Sequence, residues 1–205
     1  MYRWTGGFRL HLGIAFLVLS FQVGHCQGAK SKFEVGNSIG VLRFDKNLAF
    51  DPSPSFGLGA GYNITNSLQL NLSFSYNPTQ QRISQAASKQ HAEYSIFNYH
   101  LSTIFFIPKA MIGKIRPFII FGAGGFSINP GPVKLELGGG NTISVEPPND
   151  NKTAVNFGAG ICFQILKQMK INLEARRYLF KLEDFTKSKV TGSNKYLGLG
   201  LIRVF

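Results

Sequence analysis

The sequence predicts an all-β chain, with eight antiparallel strands closed into an up-and-down barrel that crosses a membrane. Three observations predict it. Apolar residues recur at every second position from Phe33 onward, the connections between these runs alternate short and long, and aromatic side chains gather at the ends of the runs. The 205 residues are 44% apolar, 13% aromatic and only 16% charged, which excludes a disordered chain and leaves few charges for a soluble surface.

The first 28 residues read as an export signal. Arg3 and Arg9 precede an apolar run over 12–21, and small or polar residues follow, which is the layout of a secretory signal peptide cleaved between positions 26 and 30. The run is too short for a transmembrane helix, which needs about 20 residues. Acylation of Cys26 is disfavoured by His25, because lipidation sites carry a small residue there. The mature barrel domain is then 29–205. Cleavage removes two arginines and no acid, so the formal charge falls from +12 to +10. It also removes Cys26, and Cys162 alone cannot form an intramolecular disulfide.

The strands follow in order. Runs of period two are expected at 33–44, 56–64, 68–76, 92–107, 115–128, 155–165, 171–176 and 197–201. Short connections fall at 64–67, 108–114 and 166–169. Long polar ones fall at 45–55, 77–91, 129–153 and 181–194, and the third of these, rich in Pro and Gly, is the expected contact surface for partners. Tight turns alternating with long loops describe a meander, and an even strand number lets it close without edges.

Side-chain size decides which face meets lipid. Opposite the apolar positions stand Gly, Ser, Asn and Gln, which suit the narrow interior of an eight-stranded barrel better than a surface studded with Lys and Glu. The apolar face then points outward. On it, Phe33, Tyr62, Phe105, Phe163 and Phe205 lie beside short turns or a terminus. Phe56, Phe74, Tyr76, Phe97, Tyr99 and Phe157 lie beside the long loops, and the waists between are largely aliphatic. Two aromatic girdles are expected where rings anchor at both membrane interfaces, whereas the core of a soluble sandwich predicts no such segregation.

The residues from Tyr196 to Phe205 are similar to the C-terminal strand of bacterial outer-membrane barrels, with its terminal Phe. Arg116-Pro117-Phe118 with Gly122-Ala-Gly-Gly125, Asn156-Phe-Gly-Ala-Gly160 and Leu173-Glu-Ala-Arg-Arg-Tyr178 resemble the small eight-stranded OmpA/OmpX-type barrel domain, within the porin-like outer-membrane proteins. The resemblance covers the mature chain. It implies a place in the bacterial outer membrane, with outer-membrane lipids as surroundings and Phe205 as the signal read by the barrel assembly machinery. Arg203 departs from the pattern, since such strands carry an aromatic or apolar residue there.

The inward parity supplies the candidate site. Glu34, His100, Arg116, Glu174, Arg176 and Tyr178 are expected to form a polar network in the lumen, with Glu174 beside Arg176 and with Glu34 paired to Arg116 across the bore. Phe118, Ile120, Ile202 and Val204 are expected to pinch the short-turn end. A closed barrel with a structural or surface-interaction role follows, and a small-solute channel is the alternative. A lipid-modifying enzyme is the minor alternative, resting on His100 and Ser102 two apart on one strand with Glu93 on the opposite parity. No catalytic residue, cofactor or metal site is expected, and no nucleic-acid module is visible. Lys181, Lys187, Lys189 and Lys195 near the last long loop, and Lys109, Lys114, Lys167 and Lys170 near the short turns, are read as solvated interface charges; the sharper alternative is that the loop cations bind lipopolysaccharide phosphates and the turn cations phospholipid heads.

Overall fold

A computed structural model of the chain describes residues 32–48, 50–85, 88–110, 112–137, 141–145, 148–183 and 189–205. The expected signal peptide, 1–28, lies outside them, as does Lys187. The strands are β1 (Phe33–Arg43), β2 (Ser53–Asn63), β3 (Leu68–Gln85), β4 (Ser88–Phe106), β5 (Ile115–Pro130), β6 (Val133–Leu137), β7 (Asn141–Val145), β8 (Asp150–Leu166), β9 (Met169–Glu183) and β10 (Lys189–Val204).

Eight of them form one closed barrel in the order β1-β10-β9-β8-β5-β4-β3-β2, every pair antiparallel. Pairing of β1 with β10 runs from Glu34↔Val204 to Arg43↔Lys195 and leaves no edge. The expected eight-stranded transmembrane barrel is therefore the fold. β6 and β7 form a separate hairpin inside the third long connection.

The long connections differ from expectation. Ladder pairing of β3 with β4 continues from Tyr76↔Phe97 out to Gln85↔Ser88, so most of 77–91 is strand. Likewise β9 and β10 pair out to Glu183↔Lys189 within the span 181–194. Loss of apolar alternation ended the strands in the sequence reading. A backbone ladder, however, needs only strand pairing, and beyond the lipid its outward residues are free to be polar.

Short turns have local causes. Between β2 and β3 the Thr65 hydroxyl accepts the backbone N–H groups of Ser67 and Leu68 at 3.1 and 3.0 Å. Between β4 and β5 a 3-10 turn, Pro108–Ala110, leads to a tight reversal at Gly113, whose φ of 59° an L side chain rarely adopts. A register shift between Gln164 and Leu166 bends β8 into its turn.

Parity is sharp along the barrel. Leu72, Leu101, Phe121 and Leu197 are exposed on the outer face, while Glu34, Asn98, His100, Ser102 and Glu174 are buried within. From Phe97 to Phe105 the climb is roughly 20 Å, from ~3.3 Å per residue and a tilt of ~40°, near the ~25 Å apolar band of outer-membrane barrels. Leu101 lies midway on that climb and faces outward. Leu101→Lys is expected to destabilise the barrel by about 2–4 kcal/mol in lipid vesicles, read by urea titration of the folded fraction. A cost near zero would mean that this face does not meet hydrocarbon.

Candidate functional site

Among the described residues, charged side chains are gathered away from solvent in the bore, which is filled in three layers. The floor lies at the short-turn end. Inward positions of β4, β5 and β8 place Ile104, Phe106, Phe118, Ile120 and Cys162 in one buried cluster. Phe106 and Phe118 meet edge to face at 5.8 Å between ring centroids. Phe118 fits because β8 offers Gly160 opposite it: a Cβ there would stand 2.5 Å from Phe118 Cζ. At the rim the Arg116 guanidinium sits 4.3 Å from the centroid of the Phe106 ring and donates from Nη2 to the Asn66 carbonyl at 2.5 Å.

Above the floor is a polar layer. Glu34 on β1 accepts a hydrogen bond from Lys170 Nζ on β9, in an ion pair with both side chains more than nine-tenths buried. The same oxygen accepts Asn63 Nδ2 at 2.7 Å, and Asn63 in turn accepts Gln69 Nε2 at 3.2 Å. On β9, Arg176 Nη2 donates to Glu174 Oε2 at 3.0 Å, while Nε lies 3.0 Å from Oε1 without hydrogen-bond alignment. Asn172 Nδ2 reaches the same Oε2 at 3.4 Å. Paired this way the buried charges avoid the several kcal/mol that an isolated one would cost. Beside these pairs lies a cavity of about 80 Å³, lined by Gly59, Asn71, Ser73, Asn172, Glu174 and Tyr196 among others. That volume holds several waters.

The ceiling is aromatic. His100 packs against Tyr178 at 4.7 Å and Phe126 at 5.7 Å between ring centroids. Leu42, Ile96, Phe126, Ile128, Phe180 and Tyr196 continue this cluster to the long-loop end. Phe44, Leu48 and Phe50, from the connection between β1 and β2, pack onto it, with Phe50 4.9 Å from Tyr94. The connection is pinned across the mouth. Asp51 N–H donates to the Gln80 carbonyl at 2.9 Å, Gln81 Nε2 to the Leu48 carbonyl at 3.0 Å, and Asp45 N–H to Asn194 Oδ1 at 3.0 Å.

The structure brings five of the expected lumen residues into the bore, namely Glu34, His100, Glu174, Arg176 and Tyr178; Arg116 is half-buried at the rim. One pairing differs from expectation. Glu34 pairs with Lys170 and not with Arg116, because Arg116 stands at the very start of β5 and is spent on Asn66 and Phe106. Lys170 accordingly does not meet phospholipid heads. Ser102 donates to Asn156 Oδ1 at 3.4 Å, and His100 packs against the rings of Phe126 and Tyr178, so the two do not form a hydroxyl–base pair. Sequence reasoning placed His100 and Tyr178 in the lumen but missed the apolar ceiling that they join. Its signal was three apolar residues, Phe44, Leu48 and Phe50, in or beside a connection read as polar.

The outer face carries the aromatics. Phe33, Tyr62, Phe105 and Phe163 are exposed there, and Phe205 is half-exposed with the Arg203 guanidinium 5.2 Å from its ring centroid. Phe56, Phe74, Tyr99 and Phe157 are exposed outward as well, with Tyr76 and Phe97 half-exposed. Phe121, absent from the expected girdles, is 60% exposed and pairs directly with Phe157.

The profile of the family described as "outer membrane protein beta-barrel domain" matches residues 13–202. No curated protein sequence matches the chain. Among solved structures, Neisserial surface protein A is similar with a TM-score of 0.58 and 15% identity, over 85% of this chain and 98% of its own. The outer membrane protein OprG from Pseudomonas aeruginosa gives 0.56 and 10%, over 87% and 99%. The outer membrane protein AlkL, solved in lipid bilayers, gives 0.50 and 12%, over 90% and 95%. At these identities the likeness is one of fold. With a closed eight-stranded barrel, an apolar exterior and a profile match over most of its length, the chain belongs to the outer membrane protein beta-barrel domain family and is embedded in the lipids of the bacterial outer membrane.

Proposed function

We propose that this protein is a closed barrel with a structural or surface-interaction role, presenting its long connections outside the cell and conducting no solute. The observation that carries the reading is the bore itself. Apolar clusters lie at both ends of a polar layer whose charges are paired, and a connection packs over the mouth. Apolar constrictions resist hydration, and two in series leave no continuous wet path. The engagement of Ser102 with Asn156 and the packing of His100 against Tyr178 and Phe126 speak against a lipid-modifying enzyme.

Export through a signal peptide cleaved between positions 26 and 30 delivers the chain to the periplasm, with both termini and the short turns on that side. Phe205 is the signal for the barrel assembly machinery. It is half-exposed at the last strand's end and donates its N–H to the Phe33 carbonyl at 2.9 Å, beside the seam where the barrel closes. Outer-membrane lipids, including lipopolysaccharide, are the expected partners of the outer face.

Planar-bilayer recording of the purified protein is expected to show no steady open level, and a stable conductance would install the small-solute channel instead. The buried pair gives a second measurement. Arg176→Ala leaves Glu174 unpaired and is expected to cost about 3–5 kcal/mol, whereas replacing both residues with apolar ones of similar size costs much less; equal losses in the two variants would remove the pairing argument. Deleting Phe205 is expected to lower the amount assembled in cells several-fold while leaving refolding in detergent unchanged, and normal assembly of the truncated chain would end its role as a signal.

A further inference from the structure

On the outer wall, three cations stand in one row. The register pairs Arg43 on β1 with Lys195 on β10, and Lys195 with Arg177 on β9. All three side chains are exposed, and none takes part in an ion pair among the described residues. Arg177 Nη2 donates to Ser193 Oγ at 3.2 Å, which holds it along the row. Asp45, the acid two residues beyond Arg43, accepts the Ser193 N–H at 2.8 Å through Oδ2. Like charges placed directly opposite on neighbouring strands repel. Three in succession form a focus of positive potential that an anion from outside would relieve.

The height of the row identifies that anion. Arg43 is ten residues along β1 from Phe33, and Lys195 ten residues along β10 from Phe205, both in the short-turn girdle. Ten residues climb about 25 Å at that tilt, the full apolar band, which puts the row at the opposite interface, level with outer-leaflet headgroups. Below it the wall is aliphatic, with Ile39, Val41, Leu197, Leu199 and Leu173 exposed. From Arg43 to Arg177 is two strand spacings, about 10 Å, wide enough for a headgroup bearing two phosphates.

We propose that Arg43, Lys195 and Arg177 form a binding site for the phosphate groups of lipid A, the multi-acylated sugar lipid of lipopolysaccharide, with its acyl chains lying on the aliphatic strip beneath. Arg presents a planar fork to phosphate oxygens on either side of the Lys ammonium, a donor set suited to phosphomonoesters. The site rests on the reading that lipopolysaccharide covers the outer face and is independent of whether the bore is closed.

Native mass spectrometry of the purified protein in detergent, titrated with lipid A, tests it. Wild type is expected to retain lipid A, and Arg43→Gln/Arg177→Gln/Lys195→Gln to bind it at least tenfold more weakly. A control with the same charge change at the other end, Lys32→Gln/Lys114→Gln/Lys167→Gln, is expected to bind as wild type does. Dephosphorylated lipid A is expected to bind wild type at least tenfold more weakly, and millimolar inorganic phosphate not to displace lipid A. Equal retention by the row variant, or equal binding of the dephosphorylated lipid, overturns the site. Equal binding of phosphatidylglycerol, or full displacement by inorganic phosphate, overturns the assignment to lipid A. Circular dichroism checks strand content in every variant. Should the triple variant not fold, Lys195→Gln alone carries the test with an expected loss of about fivefold. Bilayer conductance of the row variant stays as in wild type, so a failed site and a failed closed bore give different results.

Discussion

Inside hydrocarbon no water completes a backbone hydrogen bond, so every N–H and C=O there must find its partner on a neighbouring strand. The pairing of β1 with β10 meets that demand last, joining the two ends of the chain and removing the only edges the sheet would have. Much else follows. Eight strands fix a bore too narrow for large residues on every inward position. Glycine therefore stands where a large neighbour must lie across it. Phe118 occupies the space in front of Gly160, and the Tyr196 ring lies against Gly198, where any Cβ would collide with the phenol. What looks in the sequence like a run of glycines in a strand, ordinarily a weakness, is the room that lets aromatic residues fill the interior.

Charge is partitioned by the same wall. Within the bore Glu34 meets Lys170 and Glu174 meets Arg176, so the two buried pairs cancel, as the low dielectric of a lipid-enclosed interior requires. Without Arg3 and Arg9 of the expected signal peptide the formal excess is +10, and none of it comes from these two pairs. A basic protein of this kind gains nothing for its core from its net charge. On the proposed reading the excess acts at the two interfaces, where lipid phosphates lie.

Strand parity was legible from residues such as Leu68, Leu70, Leu72 and Phe74, because a period of two survives in any register and one slip would invert every side chain. The face on which Glu34 lies was readable for that reason, but its partner was not. Which inward residue sits beside it depends on the stagger between strands, which closure sets and no local pattern records. Lys170 stands opposite Ile202, two pairs along from the Glu34↔Val204 pair, and reaches Glu34 past β10. Arg116, equally plausible by parity, is held at the rim on the far wall. The ceiling was hidden for another reason. Phe44, Leu48 and Phe50 carry no strand alternation, and their destination depends on hydrogen bonds to Gln80, Gln81 and Asn194, far away in sequence.

A barrel whose outer surface is apolar still needs a packed interior, and in this chain the bore is that interior. Floor and ceiling together bury Phe106, Phe118, Phe126, Phe180, Tyr178 and Tyr196. Truncating any one such ring in a packed core costs on the order of 3–5 kcal/mol. A conducting path wide enough for a solute would have to remove several of them at once, from both ends, and leave the Glu34–Lys170 and Glu174–Arg176 pairs to be held by water alone. The residues proposed to block the bore are thus the ones that hold the barrel together. On the closed-bore reading, impermeability and stability have one physical source, and a channel built on the same strands would need a wider barrel or a different filling.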